Sequence, residues 1–487
     1  MDDGLDPPTA EVLVEGVPAA MSLAPSPVGL SLGGELLLDE EARPGVESIR
    51  SGLLQAGPLA AAGVLANGAS VILTVALARL LSPHGYGVLN QLTGLFLILS
   101  MPGSAVVVAV VRRVTLWHED GSGHLVRRWS GRMHRRGLLV VLAWGVIVFA
   151  SRHPVAVLLG QRSGVGIAAI LTAAAFFVLL SLDRGLLQAR RAYRPLAANL
   201  LVEAGIRTAA VLGLVAAGTG SSGAAIGILA GEVVAAAHAR YAAVHAWTTP
   251  ELRPPARSWA SGWMAALRPD PLLGGSVLER HRVAVDLIIA SVSLSMVALL
   301  QNVDVLVVGR ENPSHSGAYA AVSVTSKAIV FGAIVLGGYL LPEAAIRWRQ
   351  GGHALRQLGV VLVLLAVPAT ILLLVALLAP HLLLQVVFHH AYVTAASALA
   401  PLVAAMILLS TSVILTMYLL AVGRRWVAAV LVFGAGVLTV AVAVAHGDPR
   451  STALADLFTQ AGVLVVIVSG FTVVHRVRLR RHPAGVS

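Results

Sequence analysis

The sequence contains no cysteine, which excludes disulfide bonds and thiolate chemistry. It is also poor in charge: Asp, Glu, Lys and Arg make up 12% of its 487 residues, against roughly 25% in a soluble domain. About half of what a water-facing surface needs is missing. The first residues, MDDGLDPP, lack the positive charge that opens a secretory signal, and no long apolar run begins before Gly57, so no cleavable signal is expected.

What is present fits hydrocarbon. The apolar set reaches 57% and the mean hydropathy is +0.83. Windows of about 20 residues give twelve candidate helices, at 57–81, 88–111, 137–159, 165–182, 196–217, 222–245, 284–309, 318–341, 357–379, 395–422, 426–445 and 452–474. The third is the weakest, because Arg152, His153 and Pro154 interrupt it. Barrel strands would be about ten residues long and would alternate polar with apolar. These runs are continuous and rich in Ala, Val, Leu and Gly, which points to helices.

The formal net charge of +11 would suit nucleic acid only if the arginines formed a continuous basic face. They lie instead in short connections between apolar runs. With the amino terminus inside, 25 Lys or Arg residues fall in inner connections and the carboxy-terminal tail, and four (Arg152, Arg162, Arg310 and Arg450) fall outside. That asymmetry follows the positive-inside rule, so both termini are expected in the cytoplasm and no nucleic-acid partner is expected. Trp117, Trp129, Trp247, Trp259, Trp263, Trp348 and Trp426 all fall on the inner side, as interfacial anchors would.

Five segments follow. Residues 1–56 carry ten acids and two arginines and read as a disordered cytoplasmic tail. Residues 57–245 form a first six-helix lobe, and 246–283 a cytoplasmic linker in which WASGWMAALR suggests a short helix on the inner leaflet. Residues 284–474 form a second lobe and 475–487 a basic tail.

The lobes repeat. Span one ends in LARLLSPHGYGVLNQL and span seven in VVGRENPSHSGAYAAV; each has an arginine near the outer end, then a Pro-x-x-x-Gly turn, Pro83 to Gly87 and Pro313 to Gly317. The offset is 230 residues, about half the membrane region. Six helices followed by six in the same orientation make a parallel pseudo-twofold repeat. The expected fold is therefore an all-α polytopic membrane protein of twelve transmembrane helices in two such lobes.

Charges deep in the spans are the candidate functional residues, since each costs about 2.5–3.5 kcal/mol on insertion scales. Arg79 and Arg240 sit near helix ends and can snorkel. Glu203 and Arg207 lie four apart on one helix face, Arg207 roughly 16 Å from the inner end, and Glu232 and Lys327 lie about 15 and 14 Å below the outer ends of their helices. Asp304, in LLQNVDVLVVG, is about 8 Å from its outer end, within reach of Lys327. Two readings stay open. The pairs lock helices together, or Arg207 and Lys327 line a central cavity and hold an anionic headgroup while Glu203, Glu232 and Asp304 orient them.

No enzyme signature stands out. His84, His389 and His390 fall in outer connections with no matching carboxylate pattern, and no glycine-rich segment follows a strand or carries a phosphate-loop lysine. No metal or other cofactor is expected.

ARLLSPHGYGVLNQLTGLFLILSMPGSAVVVAVVRR, DRGLLQARRAYRPLAANLLVEAGIR and DVLVVGRENPSHSGAYAAVSVTSKAIVF resemble segments of polysaccharide-type flippases in the multidrug/oligosaccharidyl-lipid/polysaccharide exporter superfamily. The first looks like a motif often written A-R-x-L-x-P-x-x-Y-G, although His84 stands where many relatives have an acid. The resemblance implies a cell-membrane flippase moving a lipid-linked oligosaccharide, a polyprenyl-pyrophosphate sugar, by alternating access during polysaccharide biosynthesis. Membrane lipids and polysaccharide assembly proteins are its implied partners. A cation-coupled multidrug antiporter of the same superfamily and a non-transporting assembly scaffold are the alternatives.

Overall fold

In a computed structural model of the chain, residues 46–119, 123–161, 163–247, 277–349, 355–421 and 424–481 are described. Residues 1–45 of the acidic segment and 248–276 of the linker, including the suggested inner-leaflet helix, lie outside them.

The first lobe consists of α1 (Val46–Leu80), α2 (Pro83–Glu119), α3 (Gly123–Ala150), α4 (Arg152–Leu158), α5 (Gly164–Ala189), α6 (Tyr193–Ala216) and α7 (Gly220–Ala246). The second consists of α8 (Val277–Glu311), α9 (Ser316–Arg349), α10 (Leu355–Leu378), α11 (Pro380–Val387), a 3₁₀ segment (His390–Ala398), α12 (Leu399–Ala421), α13 (Trp426–Val444) and α14 (Pro449–Arg481). Among the described residues, twelve of these helical segments are long and apolar enough to cross a membrane. Hydrocarbon offers the backbone no partner, so each span closes its own hydrogen bonds. Hydroxyls follow the same rule: Thr172, Ser181, Ser326 and Ser410 donate to the carbonyl four residues earlier at 2.6–2.8 Å.

The repeat extends to packing. In the first lobe α1 packs on α6, α2 on α5, α5 on α7, and α6 on α7. In the second, α8 packs on α13, α9 on α12, α12 on α14, and α13 on α14. These are the same pairings, one lobe later. Even the broken spans correspond. α3 stops at Ala150 and resumes as α4 across Ser151, and α10 stops at Leu378 and resumes as α11 with Pro380 at its start. The sequence reading placed the second break in an outer loop and began the tenth span at 395, whereas α11 and, after an interruption at Phe388 and His389, the 3₁₀ segment are helical there.

In the first lobe α6 and α7 are tied by a stripe of small residues. Gly223, Gly227, Gly231, Ala235, Ala239 and Ala243 repeat every four positions along α7 and are all buried. A β-carbon on Gly227 would lie 2.6 Å from the Val211 nitrogen, and one on Gly231 2.8 Å from the Arg207 β-carbon. Such spacing lets two backbones meet.

The lobes touch through α2, which packs on α8 and α9. Call the end where the arginine-rich connections lie the basic end and the opposite one the far end. Asn90 donates to the Ala320 carbonyl at 3.4 Å, Gln91 to the Leu306 carbonyl at 3.0 Å, and a His84 ring nitrogen lies 3.3 Å from the Pro313 carbonyl oxygen. Gly87 meets Ser316, and Gly317 meets the Pro83 carbonyl, with no room for a β-carbon at either glycine. All of these contacts lie in the far half of the bundle, so the two Pro-x-x-x-Gly turns form a seal there. Gly317→Val is expected to prevent its closure. A cysteine placed at Gln91, 3% exposed, should then label severalfold faster in nanodiscs than with Gly317 intact; unchanged labelling would show that the turns do not hold the seal.

Trp129 and Trp247, expected as interfacial anchors, are instead 9% and 7% exposed inside the basic end of the first lobe. Trp247 donates to the Leu186 carbonyl at 3.1 Å, and Trp129 packs edge-on against Trp117. A small hydrophobic core forms there with Val110, Val114 and Leu187.

Candidate functional site

Two buried polar clusters occupy the lobes, one in each. In the first, Glu203 on α6 is 1% exposed and bridges two arginines, Arg207 one turn further along α6 and Arg184 on α5. Arg184 also donates to Asn199 Oδ1 at 2.8 Å, and the Asn199 amide donates to the Ala235 carbonyl of α7 at 2.8 Å. Glu232 follows Gly231, whose backbone lies against Arg207, and its carboxylate is close enough to interact with Arg207, Arg184 and Glu203. It is fully buried, and its carboxyl oxygens find no hydrogen-bond partner among the described residues. Nearer the basic end, Asp183 accepts from Arg240 at 3.1 Å and lies 2.7 Å from a His134 ring nitrogen. Three carboxyl groups thus face three guanidiniums.

The second cluster is different. Asp304 on α8 accepts from the Tyr319 hydroxyl of α9 at 2.9 Å, and its other oxygen is 3.8 Å from the Lys327 ammonium. Lys327 donates to Asn302 Oδ1 at 3.1 Å. Asn302 abuts α2 of the other lobe, where a β-carbon on Gly94 would lie 3.3 Å from its own. Lys327 is therefore one side chain away from the seam between lobes. On α14, fully buried Asp456 accepts from Gln460 at 3.0 Å and is near enough to interact with both Asp304 and Lys327. Two carboxylates share one ammonium here. Gln301, Ser323 and Thr452 are buried with side-chain polar atoms that find no partner among the described residues, which leaves hydrogen-bonding capacity unused.

No known family profile matches the chain, and no curated protein matches it in sequence. Solved structures do match its shape. A lipid II flippase, MurJ, in an inward closed conformation superposes with a TM-score of 0.63 at 11% identity, covering 85% of this chain and 87% of that one. The fold is that of the MOP-superfamily transporters. An inward-facing multidrug resistance MATE-family transporter of that superfamily gives 0.60 at 11% identity, covering 83% of this chain and 95% of the other. A MATE transporter from Vibrio cholerae gives 0.53 at 13%, covering 88% and 98%.

Within this fold the structure brings together Glu203, Arg207 and Glu232, and separately Asp304 and Lys327. The two pairs are not equivalent: Arg207 packs into its own lobe against α7, whereas Lys327 reaches toward the seam. Sequence reasoning missed Asp183, Arg184, Asn199 and Asp456. The first two were placed in a loop beyond residue 182, but α5 continues to Ala189 and buries both. Arg240, expected to snorkel, pairs with Asp183. Asp456 was masked by its nearness to a span end. Thr452, Asp456 and Gln460, four apart and so on one helix face, were the signal that could have found it.

Proposed function

We propose that the chain is a flippase that moves a lipid-linked oligosaccharide, a polyprenyl-pyrophosphate sugar, from the inner to the outer leaflet by alternating access of its lobes, for cell-surface polysaccharide biosynthesis. The basic end is then cytoplasmic. The observation that carries this reading is Lys327, a cation kept at mid-depth beside the seam by Asn302 and Asp304. An anionic headgroup needs such a charge to cross about 30 Å of hydrocarbon. The far-end seal supports it, because closure there favours entry from the arginine-rich side, where the field attracts anions. Arg207, Glu203 and Glu232 then tune the first lobe, and Asp304 orients Lys327. Membrane lipids surround the bundle, and assembly proteins are its proposed neighbours.

A second reading, a cation-coupled multidrug antiporter, is favoured by the charge imbalance at Asp304, Asp456 and Lys327, which one proton or monovalent cation would neutralise. Proteoliposomes containing the full chain separate the two. The flippase reading expects a lipid-linked oligosaccharide to change leaflets faster than in protein-free vesicles, with no uptake of a cationic dye under an ion gradient. Dye uptake without oligosaccharide movement would reverse the choice.

A further inference from the structure

At the far end a cavity of about 350 Å³ opens between the lobes, lined by Ala78, Arg79, Leu81 and Pro83 from the first and His389, Ala391 and Tyr392 from the second. Its floor is fixed by aromatic packing. The Tyr392 hydroxyl donates to the Ala78 carbonyl at 2.6 Å, and its ring meets Tyr86 edge-on with centroids 5.5 Å apart. Phe388 completes the triangle at 6.1 and 6.2 Å.

Arg79 gives the cavity its charge. It sits in the last turn of α1, exposed, with no hydrogen bond or carboxylate partner among the described residues. Two other arginines near this end are occupied: Arg310 pairs with Glu311 at 3.5 Å, and Arg152 donates to the Phe149 carbonyl at 2.9 Å and covers the Phe149 ring. A guanidinium at the depth of lipid headgroups presents a planar fork that fits phosphate oxygens with two parallel hydrogen bonds. The His389 imidazole adds a donor from the opposite lobe, and Ala78, Leu81 and Pro83 offer an apolar wall. Leu80 and Val386, 56% and 65% exposed, flank Arg79 and His389 in sequence and suit contact with a hydrocarbon chain. The volume lies in the range of small-ligand sites, about 300–1,000 Å³.

We propose that this cavity is an exit-side subsite for the phosphate of a lipid headgroup. The assignment of this side as the exit rests on the flippase reading; the phosphate chemistry does not. Because Arg79 and His389 belong to different lobes, separation of the lobes at the far end would divide the site and release the headgroup.

The test is titration of the full chain in nanodiscs with a polyprenyl diphosphate, followed by native mass spectrometry, with uncharged polyprenol and phosphatidylglycerol as comparison probes. Losing a charge-assisted pair is expected to weaken diphosphate binding about tenfold or more in Arg79→Gln. Arg79→Lys should retain part of the affinity, and Arg310→Gln all of it. Arg79→Gln that binds diphosphate like the parent, or that loses polyprenol equally, overturns the subsite. Arg79-dependent binding of phosphatidylglycerol with no preference for the diphosphate keeps the phosphate subsite and counts against the lipid-linked substrate.

Discussion

Glu203→Ala is expected to destabilise the first lobe more than any other single charge removal there. The carboxylate holds Arg184 and Arg207 at once, and all three side chains are at most 4% exposed. Breaking one buried pair costs about 3–5 kcal/mol, because the partner keeps its charge without compensation. Here two guanidiniums lose their shared acceptor. Asn199 still accepts from Arg184, and the Glu232 carboxyl group still lies near Arg207, so the loss should stay near that range rather than double it. Thermal unfolding of the purified chain in detergent checks this. Glu203→Ala with Arg207→Met should recover part of the loss, and a melting temperature unchanged in Glu203→Ala would mean the network does not hold the lobe together.

Lys327→Ala should be the most damaging change in the second lobe. It leaves Asp304 and Asp456 facing each other in the lobe interior without their ammonium, a loss again of about 3–5 kcal/mol. Asp304→Asn should be far milder, since Asp456 remains to balance Lys327 and an asparagine can still accept from the Tyr319 hydroxyl. Two carboxylates for one cation make the cluster tolerant of losing an acid and intolerant of losing the base. The same unfolding measurement ranks the two variants, and equal losses would show that Asp456 does not share Lys327.

The twelve spans and the repeat were legible because hydrocarbon thickness imposes run length and forbids unpaired backbone, whatever the side-chain detail. Glu203–Arg207 was legible for the same kind of reason, since four residues on a helix define one face. Asp304–Lys327 required only matching depths on two adjacent helices. Which way each pair faces was not legible. Arg207 turns toward its own lobe because Gly231 on another helix leaves space for it, and that space is a property of packing, not of α6. Asp183 and Arg184 were lost to a boundary drawn at the last apolar residue, although a buried helix end can carry charges that satisfy one another. The break before Pro380 was legible, since the ninth span was ended at 379, but the helix that resumes there was not, and 380–394 was assigned to an outer connection.

Asp304, an acid inside a run suited to hydrocarbon, is proposed to orient Lys327, whose ammonium lies 3.8 Å away. The most direct test of that claim is the leaflet-resolved flipping rate of a lipid-linked oligosaccharide in proteoliposomes, with Lys327→Ala and Asp304→Asn compared at matched amounts of folded protein. A cation that meets the phosphate predicts a rate at least about tenfold lower in Lys327→Ala and a rate within a few-fold of the parent in Asp304→Asn. The reverse order, with Asp304→Asn inactive and Lys327→Ala active, would contradict it and point to a carboxylate that carries a coupling ion.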